Sequence, residues 1–460
     1  MLRVTSIGNL VAAFSLMGWL AGCDAAHKPP KSSGNPPQTA APAPLPQAPS
    51  AANSPARVSS KIASTTFGRA VSTAVRTHPD IGIASADIAS AEADLHAAKG
   101  AFRPALSLGA NLETTYRSSS SDTSSSSTPY FRISQLIYDG GAARSEKAAA
   151  LAGVTRAEDA RLVSQASSAM AAVEAYMNVL SSAEMHGLLR RNLSTHQEVL
   201  AQVEERQRFG AGTESDVLTI RSRMADAQTM AIDAQATLQQ ARARYEEVFG
   251  TAPSSLTPAP HAPQLDLKSD AAISLSPRMR TLMAEIDVAN ARLAQARAQR
   301  IPRVELGSTT RPDDDGGADV KFDLSVEYSF DNRRQSVAAI ERSEAEVARL
   351  EAEKTGLIRD IRRALDYLAT DRDAGTKRLN AARNAVSANG KNVTAAREEF
   401  SIGRRTLLEV LDAQRDFVSA QQTVVNAKSE QILTGYQALA LTGDIVAAFG
   451  ITVTTGLSQP

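Results

Sequence analysis

Residues 79–108 and 277–306 repeat one pattern at a constant separation of 198 positions. Pro79, Ala86, Ile88, Ala91, Ala93, Leu95, Ala98, Pro104 and Leu108 meet Pro277, Ala284, Ile286, Ala289, Ala291, Leu293, Ala296, Pro302 and Leu306. Further along, Tyr138-Asp139-Gly140 matches Phe330-Asp331-Asn332 at 192 positions. Gly210, Asp216, Val217 and Leu218 then match Gly403, Glu409, Val410 and Leu411 at 193. A chain that repeats itself is built twice from the same parts, so the fold must be read per half. The halves are 61–250 and 273–450, joined by 251–272 and followed by a tail, 451–460.

Each half reads as helix, two strands, long helix, tip and returning helix. The clearest strand runs from Val320 to Asp331, where Val320, Phe322, Leu324, Val326, Tyr328 and Phe330 alternate with polar residues. Period two makes one apolar face and one wet face. Its counterpart is Pro104 to Tyr116; Pro129 to Tyr138 alternates less cleanly, with Gln135 on its apolar side, and Pro302 to Thr310 is weaker. The loops of the two hairpins, 102–138 and 302–331, are expected at Ser118 to Thr128 and Arg311 to Asp319. A soluble sandwich would alternate in the same way. Four strands are too few for its core, however, and nothing else in the chain is β. A transmembrane barrel uses strands of this length and alternation. A bilayer forbids an open sheet edge, so four strands must close with strands from other chains.

The helices are long. From Val347 to Phe400, apolar or small residues recur at spacings of three and four, with Lys354, Asp371 and Asn389 interrupting. This is coiled-coil periodicity. A helix over 333–402 would be roughly 105 Å long at 1.5 Å per residue. Its first-half equivalent is 142–209, the returning helices are 214–249 and 406–448, and the helices leading into the hairpins are 64–100 and 273–300. A cytoplasmic coiled-coil rod would share this periodicity, but it would carry neither the hairpins nor an export signal.

Such a signal occupies residues 1–22, with Arg3 followed by a short apolar run. Leu20-Ala21-Gly22-Cys23 resembles the lipobox of bacterial lipoproteins, which implies cleavage before Cys23 and acylation of its thiol. Residues 24–60 hold nine of the chain's 20 prolines and read, with Cys23, as a tether and extended linker. Asp24 follows the cysteine, a placement that in enteric bacteria favours inner-membrane retention. Fifty basic side chains balance fifty acidic ones, which argues against a nucleic-acid partner. Cys23 is the only cysteine and the six histidines are scattered, so a metal site, a cofactor or an enzyme's nucleophile–base pair is not expected.

Taken together, the duplication, the hairpin exit Gln135-Leu136-Ile137-Tyr138-Asp139-Gly140-Gly141 and the tip motif Gly-x5-Asp/Glu-Val-Leu resemble the TolC-like outer-membrane channel family over about residues 61–450. The resemblance implies a mainly α protein with a small β part, in which tandem-duplicated helical hairpins accompany two β-hairpins. It implies a homotrimer whose 12-stranded transmembrane β-barrel continues into a 12-helix α-barrel across the periplasm. It further implies an outer-membrane exit channel of an efflux pump or type I secretion system, serving a periplasmic adaptor and an inner-membrane transporter. A periplasmic adaptor lipoprotein is the alternative, but it would need lipoyl-like domains and no membrane-type hairpins. At the tips, Gly210, Gly212 and Gly403 are expected to turn the chain and meet the adaptor, with glycine supplying positive φ. Helix capping alone would account for Asp216. By resemblance, Glu409 and Asp412 ring the pore entrance, and Arg405 ties the inner coil to its neighbours with Asp216 as one partner. Phe400 departs from the family's tyrosine, so one latch is missing and closure depends more on Arg405.

Overall fold

The computed structural model describes residues 60–117, 122–267, 270–313, 317–328 and 333–451. The signal segment, Cys23, the linker, Phe330-Asp331-Asn332 and residues 452–460 lie outside the described residues.

Two short helices open the first half, α1 (Thr66–Thr77) and α2 (Pro79–Gly100). Sequence reading expects one helix here and another over 273–300, yet both are broken. The second pair is α5 (Asp270–Leu275) and α6 (Pro277–Ala298). In each case the residue before the proline is extended: His78 has ψ 133° and Ser276 has ψ 128°. The proline ring disfavours a helical residue ahead of it but fits the first helical position.

The long helices are α3 (Ala142–Arg208) and α7 (Arg333–Ser401), of 67 and 69 residues, each about 100 Å long. Asp139 starts α3, accepting hydrogen bonds from the Gly141 and Ala143 backbone N–H groups at 2.9 and 2.7 Å. The returning helices are α4 (Glu214–Phe249) and α8 (Leu407–Thr442), and a last turn, α9 (Asp444–Ala448), follows. The expected helix over 406–448 is therefore interrupted, at Gly443, whose φ is +81°.

Four strands, β1 (Ala105–Arg117), β2 (Asp122–Tyr138), β3 (Arg303–Pro312) and β4 (Ala318–Glu327), form one antiparallel sheet in the order β1-β2-β3-β4. Most of the expected Ser118 to Thr128 loop is strand: the β1–β2 ladder runs on to Arg117 opposite Asp122. Small hydroxyl side chains permit this by bonding across strands, as Thr114 does with Ser125 at 3.2 Å. The β3–β4 ladder likewise reaches Pro312 opposite Ala318, inside the expected Arg311 to Asp319 loop.

Register puts Leu106 opposite Ile133, Leu108 opposite Phe131, Leu306 opposite Leu324 and Val304 opposite Val326, all on one face. Leu108 is 82% exposed and Phe322 76%. That face is a continuous apolar patch which a water-soluble protein would cover. Gln135 lies on this face opposite Leu306 and donates to the Phe102 carbonyl at 2.9 Å, and Ser308 and Thr310 share the face opposite Ile133 and Phe131. The other face is polar, and Arg132 meets Asp323 there at 3.5 Å. Among the described residues, β1 and β4 are each paired on one side only.

The helices repeat the order of the strands. Beside the sheet, α2 packs on α3, α3 on α6 and α6 on α7. Toward the tips, α4 packs on α3, α3 on α8 and α8 on α7. The largest core lies where α1, α4, α9 and the connecting segment gather on α3 and α8. There Phe67 meets Tyr176 edge-on at 4.8 Å and packs on Tyr436 and Phe449, each at 5.7 Å. The two tyrosines also fasten the connecting segment: Tyr176 donates to the Thr257 carbonyl and Tyr436 to the Pro260 carbonyl, both at 2.9 Å. Six aromatics, Phe67, Tyr176, Tyr245, Phe249, Tyr436 and Phe449, are thus gathered at this level. Elsewhere small side chains keep the helices close, as in the cluster of Val393, Ala396, Val410 and Ala413 between α7 and α8.

Candidate functional site

The expected site residues converge on the two helical tips. At the first, α3 ends at Arg208 and Gly210 turns the chain with φ +71°; at the second, Gly403 does so with φ +75°. Gly212 does not take the positive φ expected of it. Its role is spatial, because a Cβ there would lie 3.1 Å from the Gln207 amide nitrogen.

Both returning helices start with the same reciprocal cap. Thr213 accepts from the Asp216 amide at 3.1 Å, while the Asp216 carboxylate accepts from the Thr213 amide and hydroxyl at 3.1 and 2.8 Å. At the other tip, the Glu409 carboxylate accepts from the Thr406 amide and hydroxyl at 2.9 and 2.8 Å. Each box satisfies helix-end donors that would otherwise have none, and places an acid at the positive end of the macrodipole. The Thr406 backbone N–H, then its hydroxyl, and more weakly Arg405, hold the Glu409 carboxyl below the usual carboxylate range. Asp412 lies one turn on and meets Arg415 at 3.3 Å.

Arg405 does not reach Asp216 within the protomer. Its Nε pairs with Glu399 at 2.8 Å, and both cap bonds to Asp216 end on one carboxylate oxygen, Oδ2. Within one protomer the partner of Arg405 is therefore a local one, and a tie to Asp216 would have to form between copies.

Sequence reading missed Arg206. From the last turn of α3, its Nη1 donates to the Phe400 carbonyl at 3.0 Å, and its guanidinium carbon sits 4.5 Å from the Phe400 ring centroid. The Phe400 side chain also packs against the apolar cluster of Val199, Val203, Val217, Ile220, Leu407 and Leu411, which joins the two tips. Above it, Arg397 donates to Gln414 at 2.9 Å, and buried Gln414 donates to Asn192 at 3.4 Å, linking α7, α8 and α3. Phe209, at 80% exposure, and Ile402, at 65%, project from the turns.

The sequence profile described as outer membrane efflux protein matches residues 70–251 and 269–442, most of both halves. The chain belongs to that family. It is 26% identical over 368 residues to the outer membrane efflux protein BepC of Brucella suis biovar 1 (strain 1330), across 76% of this chain and 79% of BepC. To the outer membrane protein TolC of Escherichia coli (strain K12) it is 21% identical over 422 residues, 83% of each chain. Its fold is that of the Campylobacter jejuni CmeC outer membrane channel, with a TM-score of 0.74, 14% identity, and coverage of 82% of this chain and 85% of CmeC.

Membership places this outer membrane efflux protein among the outer-membrane exit channels for efflux. The apolar face of the sheet agrees with this, since its large side chains are exposed on a surface suited to lipid. None of the described helices is long and apolar enough to cross a membrane. Among the described residues, no group of three or more His, Cys, Asp or Glu is placed to hold a metal ion.

Proposed function

We propose that three copies of this chain close into one conduit, conducting substrates passively from a periplasmic pump complex across the outer membrane. The observation that carries this reading is the sheet: a four-stranded antiparallel unit with an apolar face and two one-sided edges. In hydrocarbon, every edge must be paired. Three copies supply 12 strands, β4 of each meeting β1 of the next, and the matching helix order carries the wall down to the tips. A periplasmic adaptor and an inner-membrane transporter would meet the tips at Gly210, Gly212 and Gly403. Glu409 and Asp412 would ring the entrance, with Arg405 and Asp216 bracing it. Acylated Cys23 would add a tether to outer-membrane lipid. The sheet disfavours the adaptor alternative, which needs no lipid-facing strands.

The test is purification in detergent followed by mass measurement and reconstitution into planar bilayers. A trimer that conducts ions supports the reading, and a non-conducting monomer overturns it. Mass spectrometry of the mature N-terminus tests the tether: lipid-modified Cys23 is expected, and an unmodified N-terminus upstream or downstream of it removes that part.

A further inference from the structure

We propose that Arg206 is a positioning residue of the entrance, fastening the end of α3 to the end of α7 and so holding the second tip in place. The inference rests on the channel reading above and adds a residue to it.

Between α3 and α7 lie α6 beside the sheet and α8 toward the tips, each packed on both. At the tips α8 has not yet begun, since it starts at Leu407, and the last turn of α7 is within reach of α3. Arg206 uses that opening. The carbonyl it meets, that of Phe400, belongs to the final turn of α7, where carbonyls lack the usual partner four residues on. Gly403 N–H takes one side of that oxygen at 3.0 Å and Arg206 Nη1 takes the other, also at 3.0 Å. A guanidinium at this end of a helix also opposes the negative end of the macrodipole. The same guanidinium lies over the Phe400 ring at 4.5 Å, within the range of cation–π attraction. Cap, dipole and ring all act on one residue of the neighbouring hairpin.

The ring in turn is fixed on its other side. Phe400 packs into the cluster of Val203, Ile220, Leu407 and Leu411 and into that of Val393, Ala396, Val410 and Ala413. The α7–α8 tip therefore cannot swing away from α3 without pulling the Phe400 carbonyl off Arg206 and sliding the ring from beneath the guanidinium. Glu409 and Asp412 sit on the first turns of α8, directly after this tip, so their separation from neighbouring copies follows its position. Within the protomer the ion pair of Arg405 is with Glu399 of its own hairpin, whereas Arg206 braces the tip against the other one.

The experiment compares full-length parent, Arg206→Gln, Arg206→Lys, Phe400→Leu and the double variant Arg206→Gln/Phe400→Leu as detergent-purified protein in planar bilayers, with thermal melting measured alongside. Arg206→Gln is expected to raise the open fraction at least about tenfold, the scale of one charge-assisted hydrogen bond alone, with loss of the cation–π contact adding to it. Arg206→Lys should recover part of the closed behaviour, because it keeps a cation but not the planar fork. Phe400→Leu should give a smaller increase, because the carbonyl remains, and the double variant should not exceed Arg206→Gln by the sum of the two. Conductance unchanged in Arg206→Gln and Arg206→Lys, with a conducting parent, overturns the inference and leaves the channel reading intact. So does a double variant whose effects simply add. Melting that falls in every variant with no change in conductance also overturns it, assigning Arg206 to structure alone. A parent that forms no pore overturns the channel reading itself, and this inference with it.

Discussion

Arg280 on α6 forms an ion pair with Asp159, which lies buried on α3. The partner does not make up for the loss of water. Burial pushes the Asp159 carboxyl up to about 6, while the Arg280 guanidinium pulls it down by less and Glu158 adds to the rise. The folded protein therefore holds this proton more tightly than the unfolded chain does. The stability it contributes is complete below about pH 4 and is lost as pH rises through about 6, on the order of 2–3 kcal/mol in all. Melting of parent and Asp159→Asn between pH 4.5 and 7.5 should show the parent losing stability relative to the variant as pH rises. Parallel curves would refute the shift.

The apolar face should be intolerant of charge. Leu324→Arg is expected to cost about 2–4 kcal/mol if it lies near the bilayer midplane. Ser325→Arg, one residue on and on the polar face, should fold and insert as the parent does. Insertion into lipid vesicles and resistance of the trimer to heat would report both. Equal tolerance at the two positions would contradict a lipid-facing sheet.

Gly443 ends α8 in the left-handed region, and a Cβ there would come within 2.7 Å of the Pro277 ring. Alanine must bear both the backbone strain and a collision with a ring that cannot yield. Gly443→Ala should therefore destabilise by about 2–4 kcal/mol. Gly250 has φ +69° with open space around it, so Gly250→Ala should cost only about 1 kcal/mol. Thermal melting of the two variants gives the comparison, and equal losses would discount the Pro277 contact.

At the entrance, Glu409→Ala with Asp412→Ala should lower cation-over-anion selectivity in planar bilayers, since a carboxylate ring favours cations. Thr406→Ala should act through Glu409: it removes the hydroxyl donor and leaves the backbone N–H, so the carboxyl is held down less and the pH at which selectivity weakens should move up slightly. Arg405→Ser should have a smaller effect, because its bridge to Glu399 is half exposed and screened. Unchanged selectivity in the double acid variant would remove these residues from the pore.

Periodicity carried most of the fold. The strict alternation around Phe322 and Leu324 and the stripe ending at Phe400 reported element type, because both faces of each element meet different surroundings. Boundaries failed where chemistry is permissive. Ser124 to Thr128 look like a loop by composition, but hydroxyl residues pair as readily in a ladder as in a turn. His78 and Ser276 were hidden because a proline at a helix start and a proline breaking a helix read alike until the preceding residue's backbone is known. The tip acids were legible as helix starts, since Asp216 and Glu409 follow the tip glycines where a macrodipole favours negative charge; that Thr213 and Thr406 complete the caps came from the structure. Arg206 was not, because a guanidinium bound to a backbone carbonyl leaves no partner residue type to recognise.

The two tyrosines that pin the connecting segment divide the long helices mechanically. Below Tyr176, α3 runs on for 32 residues to Arg208, a cantilever of about 48 Å clamped at the aromatic level. Below Tyr436, α8 forms a second arm of 29 residues, about 44 Å. A beam of that length converts a slope change of about one part in ten at the clamp into about 5 Å at its free end, one helical pitch. A small repacking beneath Phe67 would therefore be felt as a large displacement at Gly210 and Gly403, without bending either helix.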